Sequence, residues 1–212
     1  MSVTDWATIS SLATGAGTLV LAVATFASVR SANRSARVAE LALEEQRRPV
    51  LVPSRMNDPD QKIMFVDGHW IHVSGSGAVA EHVDNVVYLA IGLRNVGAGI
   101  GVLQSWAIHP GRESTRTDHA VDGEFRALSR DLYIPAGDIG LWQGALRDPS
   151  DRMHGEIAAA VRRREPITIE LLYTDQVGGQ RTISRFVLTP VAEDRWLTSV
   201  NRHWYLDGSG PR

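Results

Sequence analysis

Seven histidines, 24 carboxylates and 22 basic residues are the raw material for chemistry in this chain, and cysteine is absent. That absence removes disulfides, thiolate zinc sites and a cysteine nucleophile. His69 and His72 stand three apart in an extended stretch, a spacing that points their rings to opposite faces of a strand rather than at one metal. His82, His109, His119, His154 and His203 match neither H-E-x-x-H nor a facial triad. No metal or cofactor is implied. Ser74-Gly75-Ser76-Gly77 lacks the G-x-S-x-G order of a nucleophile elbow and reads as a flexible loop running to Glu81. Gly97-Ala98-Gly99-Ile100-Gly101 has the wrong glycine spacing for a dinucleotide site and precedes a strand, not a helix. It reads as a turn or bulge exploiting positive φ. Asp58 and Asp60, and Asp118, Asp122 and Glu124, lack the pattern of a calcium loop and read as solvated charge. Arg162, Arg163 and Arg164 close a helical segment, where cations complement the helix dipole, and make a possible anion contact.

The elements that must carry these residues divide sharply by polarity. From Trp6 to Val29 no residue bears a formal charge, and Leu19 to Val29 is almost wholly apolar. A helix of that length spans the ~30 Å hydrocarbon core of a bilayer. A transmembrane helix is therefore expected within residues 1–29. A cleavable signal is the weaker alternative, because Met1 to Asp5 supplies no basic n-region. Arg30, Arg34, Arg37, Arg47 and Arg48 follow the span and no Lys or Arg precedes it. That asymmetry predicts an inner or plasma membrane protein with its N-terminus outside and the remainder cytoplasmic, Arg30, Arg34 and Arg37 lying at the headgroups. Lys62 is the sole lysine, so the excess of arginine reflects codon bias of a GC-rich genome as well. Net charge is −2, which gives no basic surface for nucleic acid.

Small residues recur along the span, with Ser11 and Gly15, Ala13 and Gly17, and Ala22 available for close helix approach. They predict docking on an integral membrane partner or on a second copy. Residues 30–48 hold no Gly or Pro before Pro49 and read as a helical neck, ended by the proline.

From residue 49 the periodicity turns strand-like. Lys62–Val66 and His69–Val73 flank Asp67-Gly68, the signature of a two-residue type I′ hairpin. Asn85–Asn95 is continuously apolar, as a strand covered on both faces requires. Around eight short strands predict a mainly β fold, an antiparallel sandwich or jelly roll over residues 49–206, with a tail at 207–212. One helix is expected near 149–164, with Asp148 as N-cap and Pro149 at its first position. Trp196, Trp204 and Tyr205 are expected to pack into the core.

Arg48-Pro49, Leu93-Arg94-Asn95-Val96-Gly97-Ala98-Gly99 and Tyr173-Thr174-Asp175-Gln176-Val177-Gly178, set behind a span and a neck, resemble small actinobacterial-type membrane-anchored β-sandwich proteins without assigned activity. Where such proteins often place proline after the second glycine, Ile100 stands here. The resemblance implies architecture and no site. The expected role is an accessory or adaptor subunit of a membrane complex, such as a transporter or envelope assembly. A tethered small-ligand or stress sensor is the alternative, and a hydrolase assembled only by folding is a third.

Overall fold

The computed structural model describes residues 3–113, 116–192 and 195–207, with side chains from residue 11 onward. The chain divides into two compact units, Met1–Glu45 and Gln46–Arg212.

The first unit is helix α1, which runs unbroken over Val3–Gln46. Span and neck are one helix, without a break at Arg30. Its Ser11–Gln46 portion is long and apolar enough to cross a membrane, with mean hydropathy 1.8 in its best window. Thr18 and Thr25 donate their hydroxyls to the carbonyls of Thr14 and Leu21, at 2.8 and 2.7 Å, which hides their polarity inside the helix.

The second unit is antiparallel β. Its strands are β1 (Leu51–Pro53), β2 (Gln61–Met64), β3 (Trp70–Val73), β4 (Gly77–Val83), β5 (Val86–Asn95), β6 (Gly101–Pro110), β7 (Arg126–Ile134), β8 (Ile139–Leu146), β9 (Ile167–Thr174), β10 (Thr182–Ala192) and β11 (Arg195–Tyr205). Helix α2 (Arg152–Arg163) lies between β8 and β9. β5 carries β8 along one edge; β4 and then β1 share the other, since β4 pairs with Val86–Ile91 and β1 with Leu93–Asn95. The main sheet then continues β4-β11-β10-β9-β6-β7. β6 and β8 lie near opposite ends of this order, yet Trp106 of β6 meets Trp142 of β8 edge to face at 5.2 Å. The sheet therefore folds over itself like a sandwich. Leu89, Ile91, Leu103, Tyr173, Phe186 and Leu188 fill one core between its halves. Each such fully buried apolar side chain contributes roughly 1.5–3 kcal/mol. The β2–β3 hairpin covers the other face of β5, where Ile63, Phe65, Ile71 and Val73 pack on Tyr88 and Ala90. That second layer is why β5 is apolar at successive positions.

Several sequence expectations are corrected. The stretch to Glu81 is not a loop beyond Gly77: Ala78-Val79-Ala80 are buried in β4. Short side chains fill a tight layer there without advertising it in the pattern. Asp67-Gly68 does not form a type I′ turn, because only Gly68 has positive φ. Gly68 N–H instead donates to the Phe65 carbonyl and Phe65 N–H to the His69 carbonyl, a wider loop. The connection with two positive-φ centres is Asp84-Asn85, between β4 and β5. α2 starts three residues later than expected. Asp148 is occupied by the N–H and hydroxyl of Ser150, and Asp151 is the N-cap, accepting from Met153 N–H at 2.8 Å. Eleven strands stand among the described residues, β11 having been hidden by its polar residues.

Candidate functional site

The glycine-rich stretch serves close packing, not positive φ: Gly97, Gly99 and Gly101 are absent from the positive-φ residues. A Cβ on Gly97 would collide with the Arg48 carbonyl, and one on Gly99 with the Arg47 carbonyl. The backbone of residues 47–50 thus runs directly over these glycines. Asn95, fully buried, ties the crossing together. Its Oδ1 accepts from Val50 N–H (3.2 Å) and Gly97 N–H (3.0 Å), and its Nδ2 donates to the carbonyls of Gly99 (2.7 Å) and Ile134 (3.0 Å). The third motif joins the same place, since Tyr173 Oη accepts from Leu51 N–H at 3.2 Å. Asp175 holds the β9–β10 turn by accepting from Gly179 N–H. Three separated sequence signals therefore build one collar around the first residues of the β unit.

Behind the collar lies a serine–histidine contact. Ser184 Oγ is 2.8 Å from Tyr173 Oη and 2.6 Å from His203 Nδ1. Ser184 is fully buried, so no substrate carbonyl reaches its hydroxyl. The geometry is that of a structural relay rather than of an accessible nucleophile.

Further along the same strands, Glu170 and Arg185 are cross-strand neighbours, both nearly inaccessible. Arg185 also donates to the carbonyls of Glu113, Arg116 and Asp118, and Glu170 accepts from Ala120 N–H. The pair pins the β6–β7 connection over the sheet.

The remaining expected positions are dispersed. His69 Nε2 meets Glu81 at 3.0 Å and stacks on Tyr88, while His72 is exposed on β3. Among the described residues no three metal-ligating side chains gather. Arg162 donates to His82 Nδ1, Arg163 pairs with Glu165, and Arg164 reaches the carbonyls of Ala192 and Arg195 over the face of Trp196. The three guanidiniums diverge. On α1, Gly15 and Gly17 have open space where a Cβ would stand, and Ser11, Ala13, Ala22, Arg30, Arg34 and Arg37 are exposed. Asp58 is not solvated charge, for Arg94 clamps it through two nitrogens and holds its carboxyl below the usual range. Trp196 is in the core, as expected, but Trp204 and Tyr205 are only partly covered and lie under Arg185 and Arg48.

A cleft of about 280 Å³ is lined by Ile108, His109, Glu124, Arg126, Arg152 and Met153 among others. Arg126 grips Asp151 through Nε and Nη2, at 2.8–3.2 Å, and lies over the Trp106 ring. Glu124 Oε2 accepts from Val121 N–H at 3.0 Å and lies 3.7 Å from Arg116. The Val121 N–H lowers the Glu124 pKa, burial opposes it, and His109, Arg116 and Arg152 reinforce the lowering. His109 is 9% exposed, and its Nε2 is buried without a hydrogen-bond partner among the described residues. Sequence reading missed this cleft because its residues come from β6, the turn before β7 and the start of α2. Only the abundance of polar residues in 118–126 hinted at it.

No family model, curated protein or solved structure matches the chain.

Proposed function

We propose that the chain is a single-pass, membrane-anchored accessory subunit without catalytic activity, its N-terminus outside and its β unit in the cytoplasm. The observation that carries this reading is α1. Leu19, Leu21 and Phe26 are 67–69% exposed on a helix whose small residues Ser11, Ala13, Gly15, Gly17 and Ala22 permit close approach. At ~1.5 Å per residue the 44-residue helix is about 66 Å long, roughly twice the ~30 Å hydrocarbon core. Its first half suits lipid and a partner helix. Its second half, with Arg30, Arg34 and Arg37, suits headgroups and water. Affinity purification from native membranes in mild detergent tests the reading. Co-purification of a stoichiometric integral membrane protein, or of a second copy, is expected. Migration as a lone monomer refutes it.

A tethered small-ligand sensor is the second reading. The cleft at the start of α2, with charged groups converging beside an unsatisfied histidine, favours it.

A further inference from the structure

β7 and β8 are consecutive strands joined by the short turn 135–138, yet no backbone hydrogen bond links them among the described residues. β7 pairs with β6 and β8 with β5, so each keeps a free edge. Both strands line one groove of about 400 Å³, with Ala127 and Leu128 on one side and Gln143 to Ala145 on the other. Phe65 and Val66 of the β2–β3 hairpin line it too.

The two edges differ. Natural edge strands carry charges, prolines or bulges that discourage a further strand. β7 has such guards: Arg130 and Asp131 are exposed, and its register with β6 breaks between Ala127 and Leu132. β8 has none. Ile139–Leu146 holds no charged residue and no proline, and it pairs with β5 through eight successive residues without a bulge. The hairpin packs on Leu141 and Ala145, which covers a face of β8 but supplies no backbone partner to its edge. A regular, unguarded edge beside an open groove is the geometry of strand addition.

Charge selects the occupant. Arg126 and Arg147 line the groove, and no carboxylate stands among its described lining residues. Each guanidinium spends Nε and Nη2 on one aspartate, Asp151 or Asp67, and keeps Nη1 without a hydrogen bond among the described residues. Aromatic rings hold both in place, Trp106 under Arg126 and Phe65 and Tyr88 under Arg147. Side chains of an added strand alternate between two faces. The face of Gln143 and Ala145 leads to Arg147, while a Cβ on Gly144, on the other face, would meet the Trp142 and Trp106 rings.

We propose that β8 accepts an extended segment of a partner protein as an additional antiparallel strand. The segment carries acidic side chains at alternate positions, for the arginines of the groove, and apolar side chains between them. This edge belongs to the β unit and is independent of docking by α1, so either reading can fail alone.

The test is a fluorescence-anisotropy titration of the full chain in detergent micelles. The probes are labelled peptides of about nine residues alternating Val with Glu, Ile with Glu and Thr with Glu. At least one acidic peptide is expected to saturate the protein, and its lysine counterpart to bind about tenfold more weakly or worse. N-methylation of its alternate amides should abolish binding, because main-chain hydrogen bonds carry strand addition. Arg147→Gln should weaken the acidic peptide about fivefold and spare a peptide alternating Val with Gln. Unchanged thermal unfolding shows that the variant folds. In the unaltered chain, peptide should slow hydrogen exchange within Leu141–Leu146 and leave β10 unchanged. Absence of saturable binding by every acidic peptide overturns the proposal. Equal binding of the lysine or N-methylated counterparts does so as well, as does slowed exchange confined to other strands. Slow exchange of the same β8 amides without peptide, lost on dilution, would give the edge to a second copy and also overturn it.

Discussion

Arg185 and Glu170 face each other across β9 and β10 with Arg185 Nη2 2.6 Å from Glu170 Oε1, at 2% and 0% exposure. An ion pair so deep is tolerated only if its remaining valences are filled. They are: three backbone carbonyls of residues 113–118 accept from the guanidinium, and Ala120 N–H donates to the carboxylate. The Trp204 ring closes over the cation at 4.8 Å. Arg185→Met strands a buried carboxylate and three carbonyls, and is expected to cost about 3–5 kcal/mol. Pairing it with Glu170→Met removes the stranded charge and should recover part of that loss. The carbonyls remain unsatisfied, so the double variant should still be nicked by protease within residues 111–121. Chemical denaturation and limited proteolysis read the two effects separately. Full recovery of both would show that the loop does not depend on Arg185.

Acid sensitivity follows from the hydroxyl relay. Leu51 N–H can only donate, so Tyr173 Oη accepts from it and donates to Ser184 Oγ, and Ser184 Oγ donates to His203 Nδ1. This direction satisfies every group and requires neutral His203. Burial lowers the pKa of His203, and it pushes the Tyr173 phenol up to about 12. His82 is lowered too, by burial first and then by Arg162 and His154, with Asn85 opposing. Below the unfolded value of ~6.5 the unfolded chain takes up protons that the folded chain refuses. Stability should therefore be level between about pH 7 and pH 9 as far as these groups go, fall as pH drops through ~6.5 toward the lowered folded values of the histidines, and fall again above ~10, where unfolded Tyr173 ionises and the folded phenol does not. His203→Gln removes one titrating group and should flatten part of this acid limb. Urea midpoints measured across the range check it; an identical slope in the variant would exclude His203 as a source.

The collar makes a local prediction. Asn95→Ala leaves two amides and two carbonyls without their partner, in a buried place, and should cost about 2–4 kcal/mol. Gly99→Ala should be comparably damaging for a different reason, since the new methyl meets the Arg47 backbone rather than a yielding side chain. In both variants, hydrogen exchange at Val50 and Leu51 should rise before exchange at Ile169 or Phe186 in the core. Uniform acceleration throughout the β unit would mean that the collar is not a separate element.

What the sequence disclosed depended on the range of the interaction. The charge-free run, the helix formers to Gln46 and the doubly apolar β5 are local patterns, and each predicted its element. β4 escaped because alanine and glycine bury completely without an alternating pattern. β11 escaped because Arg202 and His203 find their partners, the Thr117 carbonyl and the Ser184 hydroxyl, far away in sequence. The glycines of 97–101 were visible as special, but their reason, the crossing of residues 47–50, requires a contact made elsewhere in the chain. The cleft draws on three elements between residues 108 and 153, and no spacing rule joins them. His109 is typical: an isolated histidine in a strand, made notable only by an unsatisfied Nε2.

Orientation is open to a direct test because the chain has no cysteine, so any introduced thiol is a unique label. Ser129 is exposed on β7, away from the collar and the buried ion pair. The arginine asymmetry about the span predicts that β7 faces the cytoplasm. Ser129→Cys should therefore resist a membrane-impermeant maleimide in intact cells, and react once the membrane is permeabilised. Ser2→Cys, on the other side of the span, should react in intact cells. Replacing Arg30, Arg34 and Arg37 together by glutamine removes the nearest retained charges and leaves Arg47 and Arg48. That variant should label at position 129 from outside in a larger fraction of molecules. Labelling of Ser129→Cys in intact cells in the unaltered background would reverse the assigned topology and place the cleft of His109, Glu124 and Arg152 on the extracytoplasmic side.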